Sequence, residues 1–260
     1  MTGSGRLNIN YTIDIICQTN SWYEHVPKGA NQKKLPELIF NQIKDSIVSR
    51  QLRPGDRLPT ERELAEQFNV SRIAVREGFK GLEALDFIMI KPGTGMFVKE
   101  LTTKPMIDSL SAILKQRKTS IEELTESRLI FEPSIARLAA ERNSSDDIRK
   151  LEANVRNASL LIQSKCSASE ENIEFHILVA EATHNTIISL TMKTFFEVLK
   201  EMTLDLGASI EEKLKTSKGA ITYHKRILAA LKERDSAKSY DLMLDDVVDV
   251  QAAFKKKKGF

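Results

Sequence analysis

Four basic side chains carry the first chemical signal in the sequence. Arg72, Arg76 and Lys80 recur at every fourth residue, so on a helix they stand on one side, and Arg62 begins a short helical stretch just before them. A guanidinium fork pairs bidentately with guanine, while hydroxyls at helix starts, here Thr60 and Ser71, suit phosphates. That is the chemistry of holding a polyanion. Taken alone, such a stripe is the ordinary solvated face of a helix, so the elements around it decide between the two readings.

Those elements are three helices and a hairpin. Leu35, Leu38, Ile39, Ile43 and Ile47 repeat at three and four residues and predict a helix ending before the turn Arg53-Pro54-Gly55-Asp56. A short helix from Glu61 to Phe68 opens on a capping box of Thr60 and Glu63. Ser71 caps a third helix, which turns Val75, Phe79, Leu82 and Leu85 inward and the basic stripe elsewhere. Phe87-Ile88-Met89-Ile90 and Met96-Phe97-Val98, joined by Pro92-Gly93-Thr94-Gly95, predict two strands of a hairpin. Helix, helix, helix, hairpin is a winged helix-turn-helix, whose third helix enters a major groove. Glu61, Glu63, Glu66 and Glu77 read either as partners orienting the arginines or as ordinary caps and surface charges.

Past Lys99 the pattern is helical to the end. Pro105 interrupts it, and Met106, Leu110, Ile113 and Leu114 predict a linking helix within 101–118. Ser120 and Glu123 form another capping box, opening a long helix through Leu129, Ile135, Leu138 and Ala139; Asn143 to Asp146 break it. Further helices are expected around 148–162, 169–183, 186–214, 217–233 and 236–254. The fold class is therefore mainly α, with an N-terminal winged helix-turn-helix bearing a small β-hairpin wing at 34–100 and a C-terminal all-α helical bundle at 119–254. Residues 1–33 read as a flexible extension or, from Ile9, Tyr11, Ile13 and Ile15, as an edge strand. Residues 255–260, with the run Lys255 to Lys258, read as a basic tail.

Composition bounds the answer. The chain has 260 residues, 39 Lys+Arg against 36 Asp+Glu and a net charge of +3, which fits two domains. Residues 33–100 hold 12 basic and 10 acidic side chains and residues 101–254 hold 21 and 24, so placement rather than bulk charge marks the polyanion surface. Eleven glycines are too few to suggest a Gly-loop nucleotide enzyme, and two cysteines, Cys17 and Cys166, make neither a disulfide framework nor a Cys-rich zinc site. No apolar run approaches the roughly 20 residues of a bilayer span. A cytoplasmic protein without membrane contact is expected.

The ordered stretch Leu52-Arg-Pro-Gly-Asp-Arg-Leu-Pro-Thr-Glu-Arg-Glu-Leu-Ala65, then Val70-Ser-Arg-Ile-Ala-Val-Arg-Glu77 and Gly93-Thr-Gly95-Met-Phe-Val98, resembles the DNA-binding domain of the GntR family of bacterial transcription regulators. The resemblance implies that Arg62, Arg72 and Arg76 contact bases or phosphates and that the Gly95 end of the wing approaches the minor groove. Two residues depart from the family pattern. Gly78 stands where Ala is usual, at up to about 1 kcal/mol of helix propensity, and Asp86 stands where a helix-ending glycine is common.

The C-terminal half resembles the ligand-binding domain of the FadR subgroup, on Glu126-Ser-Arg128-Leu-Ile-Phe-Glu132-Pro, Ala139-Ala140-Glu-Arg142, Phe175-His176, Ala182-Thr-His-Asn185 and His224 through Asp235. Many members hold a divalent metal through an Asp and a His one turn apart and two later histidines. Those positions here are Asn172, His176, His224 and Asp246, so the resemblance implies a mixed N/O set of one negative charge, compatible with Zn, Mn or Ni. Each has a plainer reading: His176 as a core histidine, Asp246 with Asp245 and Asp249 on an acidic face. Without a metal, Arg128, His176 and His224 would bind a small carboxylate effector directly, unless Arg128 is taken up in a salt bridge to Glu132. The expected protein is not an enzyme but a homodimeric regulator, a repressor by the family's default, that binds a pseudo-palindromic DNA operator and answers to a small organic acid. Two rivals are a regulator whose helical domain only dimerises and a metal-dependent hydrolase.

Overall fold

The computed structural model describes residues 35–67, 69–164, 166, 168–204 and 218–257. The readings of 1–33, of 205–214 as the end of a helix and of 258–260 as tail lie outside these residues. The chain divides into two units, one up to Pro105 and one from Met106.

In the first unit α1 (Leu35–Val48), β1 (Arg57–Leu58), α2 (Glu61–Gln67), α3 (Arg72–Ala84), β2 (Ile88–Lys91) and β3 (Gly95–Val98) follow in order. The apolar repeat of α1 buries Ile39, Ile43 and Ile47 against Val75, Phe79 and Leu82 of α3, with Leu58, Leu64, Ile88 and Val98 completing one core. Leu38 and Leu85 do not join it: Leu38 is exposed on α1, and Leu85 lies beyond the end of α3, where the turn carries its side chain outward. The hairpin forms as the sequence suggests, with Ile88 opposite Val98 and Lys91 opposite Gly95. A third strand joins it, because Arg57 and Leu58 pair antiparallel to Phe97 and Met96 and give the sheet order β1-β3-β2. Two residues are too few to show alternation in a sequence.

Both departures from the family pattern have a physical account. A Cβ on Gly78 would lie 3.0 Å from the Pro36 carbonyl oxygen and 3.1 Å from Ile39 Cγ2, so the glycine that weakens α3 is what lets α3 close onto α1. Asp86 takes φ 63°, a left-handed conformation open to a short polar side chain, and its carboxylate pairs with Lys99.

The elements that follow are all helices among the described residues: α4 (Lys104–Gln116), which begins at the boundary, then α5 (Ile121–Arg142), α6 (Ser145–Gln163), α7 (Ser169–Glu181), α8 (Thr186–Leu204), α9 (Lys218–Glu233) and α10 (Ser236–Lys257). Capping boxes start α5 at Ser120 with Glu123, and α6 at Ser144 with Asp147. Ala136, Ala139 and Ala140 are fully buried on α5, and these small side chains let α10 pack closely along it. The main core adds Leu151 and Val155 of α6, Phe175 and Val179 of α7, Ile227 and Leu231 of α9, and Leu242, Met243 and Val247 of α10. On α4 the buried residues are Ile107 and Ser111, whereas Met106, Leu110 and Ile113 of the predicted stripe are exposed. The last helix runs on through Lys257, so the basic run begins inside a helix rather than after it. No described helix is long and apolar enough to cross a membrane.

Candidate functional site

Helix α3 presents Arg72, Arg76 and Lys80 to solvent while Ala74, Val75, Gly78 and Phe79 face the core. Ser71 caps it, its Oγ accepting from the Ala74 amide at 3.2 Å, which leaves the hydroxyl proton for an outside acceptor. At α2 the Thr60 hydroxyl instead donates to Glu63 Oε2 at 2.8 Å, so its proton is committed to the cap. Glu61 receives Arg76 through both oxygens, with Nε 3.0 Å from each and Nη2 2.8 Å from Oε2, and these bonds lower the Glu61 pKa. Arg62 meets Glu66 at 3.8 Å and Lys80 meets Glu77 at 2.8 Å. Of the four basic residues, Arg72 makes no ion pair among the described residues. The glutamates thus divide: Glu61, Glu66 and Glu77 face basic side chains, and Glu63 caps. The arginine spacing gives no hint of Ile73, which is 71% exposed beside Arg72 on the same helix. A β-branched apolar residue left in solvent one position into the third helix was the available signal.

The second unit has a buried polar centre fed by four helices. Arg128 and Glu132 come from α5, His176 from α7, His224 from α9 and Asp246 from α10; Asn172, one turn before His176 on α7, is half-buried, its Oδ1 shielded from solvent and unpaired. Arg128 and Glu132 form the ion pair of the plainer reading, with side chains 5% and 2% exposed. They belong to the same cluster as the histidines: His176 Nδ1 is 2.6 Å from Glu132 Oε2, and Arg128 Nη2 is 3.5 Å from His176 Nε2. Asp246 Oδ2 lies 3.5 Å from His176 Nε2 and 3.7 Å from His224 Nε2. One ligand atom from each of His176, His224 and Asp246 fits within a mutual 4.8 Å. Phe175 stacks on the His224 ring at 3.9 Å, and Phe196 lies under the Arg128 guanidinium at 5.3 Å.

The acidic-face reading of Asp246 is overturned, since it is buried at 2% while Asp245 and Asp249 are exposed. One helical position separates the two faces of α10. His184 stays outside the centre, at the end of α7 with φ 52° and Nε2 2.9 Å from Asp147. Electrostatics follow from burial. Burial, the largest influence, raises the Asp246 carboxyl to about 6 against the pull of His176 and Arg128, and burial holds His224 neutral, well below its usual range. Glu132 goes the other way: burial opposes its charge, but Arg128 and His176 together hold it at about 2. Glu132 as the neighbour of His176 escaped sequence reasoning, which saw only its i, i+4 relation to Arg128.

Residues 35–98 match the model of the bacterial regulatory proteins of the gntR family, and residues 123–248 match the FCD domain. The Uxu operon transcriptional regulator of Escherichia coli is 30% identical over 214 residues, covering 80% of this chain and 82% of that protein. The chain belongs to the GntR family. This GntR-family chain is also 28% identical to the transcriptional regulator LutR of Bacillus subtilis over 213 residues, 79% of this chain and 94% of LutR. A solved Streptococcus agalactiae GntR structure shares the fold with a TM-score of 0.68 at 22% identity, covering 84% of this chain and 99% of the other. As a GntR-family protein with an FCD domain it is a DNA-binding transcription regulator, a class without enzymatic activity.

Proposed function

We propose that the chain is a homodimeric repressor acting on cytoplasmic DNA, with residues 34–100 reading a pseudo-palindromic operator and residues 119–254 dimerising and binding a small carboxylate effector. In the winged helix, Arg62, Arg72, Arg76 and Lys80 contact bases and phosphates, Ser71 and the α3 N-terminus hold a phosphate, and the wing reaches the minor groove at Gly95. Thr60 serves chiefly as the α2 cap. In the bundle, Asn172, His176, His224 and Asp246 hold one divalent metal that faces the effector, while Arg128 is taken up in its ion pair with Glu132.

The observation that carries the metal reading is a set of buried atoms without a hydrogen-bond partner in the protein: Asn172 Oδ1, both ring nitrogens of His224 and Asp246 Oδ2. Buried polar groups left unpaired cost free energy, and a cation satisfies oxygen and imidazole donors together. Both substituted positions, Asn172 and Asp246, still offer an oxygen. When bound, the metal supplies Lewis-acid attraction for a carboxylate oxygen. The protein sets the charge balance: Glu132 cancels Arg128, and Asp246 cancels one charge of a divalent ion, so an anion completes neutrality. Glu132 Oε2 lies 2.6 Å from His176 Nδ1, which places a negative charge on one side of the ring while Nε2 on the other lies 3.5 Å from Asp246 Oδ2.

Effector binding then favours an arrangement of the dimer in which the two reading heads no longer match adjacent half-sites, and operator affinity falls by the coupling free energy. The test is a binding titration on an operator selected from a random DNA library, with small carboxylates added to chelator-treated and to zinc-, manganese- or nickel-loaded protein. Release of DNA by a carboxylate only in the metal-loaded form supports the reading. Release by none, with or without metal, leaves a domain that only dimerises.

A further inference from the structure

The wing holds a cation that the stripe on α3 does not explain. Gly95 opens β3 with φ +125°, and a Cβ there would lie 2.9 Å from Nε of Arg57, 3.4 Å from its Nη2 and 3.5 Å from its Cζ. The Arg57 guanidinium therefore fills the space that a side chain at position 95 would take. Strand register puts it there: Arg57 pairs with Phe97, so Gly95, two residues along β3, is its diagonal neighbour on the same face. Where Arg62, Arg76 and Lys80 each face a glutamate, exposed Arg57 has no carboxylate within ion-pair distance among the described residues. It also lies near the start of α2. The Glu63 carboxylate there is held below its usual range by bonds from Thr60 first, and then by the nearby charges of Arg62 and Arg57.

We infer that Arg57 binds a DNA backbone phosphate at the root of the wing, with Gly95 as the gap through which its guanidinium reaches across β3. This rests on the winged helix being the DNA-binding surface. An arginine laid flat against a strand, rather than projected from the inserted helix, offers its outer N–H edge to a phosphate and does not probe base edges. The glycine serves two purposes at once, the positive φ of the wing and the seat of this side chain.

The experiment measures DNA affinity of the full chain by fluorescence anisotropy across a range of KCl concentrations. Two probes are used, a duplex selected from a random library by the wild-type protein and an unselected mixed-sequence duplex. Arg57→Gln removes one phosphate contact per subunit and is expected to weaken both by about tenfold per subunit and to reduce the slope of log affinity against log salt by about 1.8 for the bound dimer, with an unchanged melting temperature. Arg57→Lys is expected to keep the slope. Unchanged affinity and slope for Arg57→Gln would overturn the assignment, as would a loss confined to the selected duplex, which would make Arg57 a base reader. Arg72→Ala separates this from failure of the underlying reading: if it lowers preference for the selected duplex while Arg57→Gln does nothing, only the Arg57 assignment falls, and if neither changes binding, both fall.

Discussion

Replacing Glu132 with Ala probes the polar centre of the bundle through its energetics. Glu132 is the partner of Arg128, both oxygens being engaged, and it also touches His176. With both side chains at 5% exposure or less, its removal strands a guanidinium away from water, and breaking a buried pair in this way costs about 3–5 kcal/mol. The carboxyl's own titration gives a similar figure. Its pKa is held at about 2 against an ordinary 4.5, a difference worth roughly 3 kcal/mol. Because the folded value is the lower one, that stabilisation is complete above pH 4.5 and is lost as pH falls toward 2. Urea unfolding of metal-free protein, followed by circular dichroism, is expected to show the full loss at pH 7 and a smaller one at pH 3.5. The double variant Arg128→Met with Glu132→Leu is expected to regain wild-type stability or exceed it, since apolar replacement removes both buried charges. A loss below about 1 kcal/mol for Glu132→Ala, or one that does not shrink in acid, would refute the argument.

Other perturbations test neighbouring steps. Gly78→Ala gains up to about 1 kcal/mol of helix propensity but drives a methyl into Pro36 and Ile39; the expected net loss is about 1 kcal/mol or more, and a rise in melting temperature would show that α1 yields. Arg72→Ala is expected to cost about 1–3 kcal/mol of specific DNA binding without altering the melt, and unchanged specificity would remove it from the reading face. Asp246 is a buried carboxylate whose pKa is raised from 3.8 to about 6, so the metal-free fold loses stability as pH rises through that window. Asp246→Asn is therefore expected to stabilise the metal-free protein by up to about 3 kcal/mol at pH 7, with little effect at pH 3.5, while weakening zinc binding in calorimetry. Destabilisation at pH 7 would contradict the burial argument.

What the sequence made legible was local. Capping residues, the spacing of Arg72, Arg76 and Lys80, and the turn at Pro92 to Gly95 declare themselves within one or two helical turns, and the winged helix follows from them. The packing role of Gly78 was hidden because its neighbours, Pro36 and Ile39, lie some forty residues earlier, and propensity alone marks the glycine only as a weakness. β1 was hidden by its length. Asp246 shows a signal that was present but outweighed: Leu242, Met243 and Val247 define the buried face of α10, and Asp246 falls on it, yet three aspartates within five residues suggest a solvated face. The meeting of Glu132 with His176, and of His176 with Asp246, joins three helices and has no local trace.

The most direct test of the account is elemental analysis of protein prepared without chelators or metal-affinity resin, beside His176→Ala prepared in the same way. Near-stoichiometric zinc, manganese or nickel is expected in the wild type and its loss in the variant, with Asn172 and Asp246 acting as ligands in the places of the family's Asp and His. Wild-type protein that takes up no metal even after each of the three ions is added back, or a His176→Ala variant that keeps its metal, would contradict it.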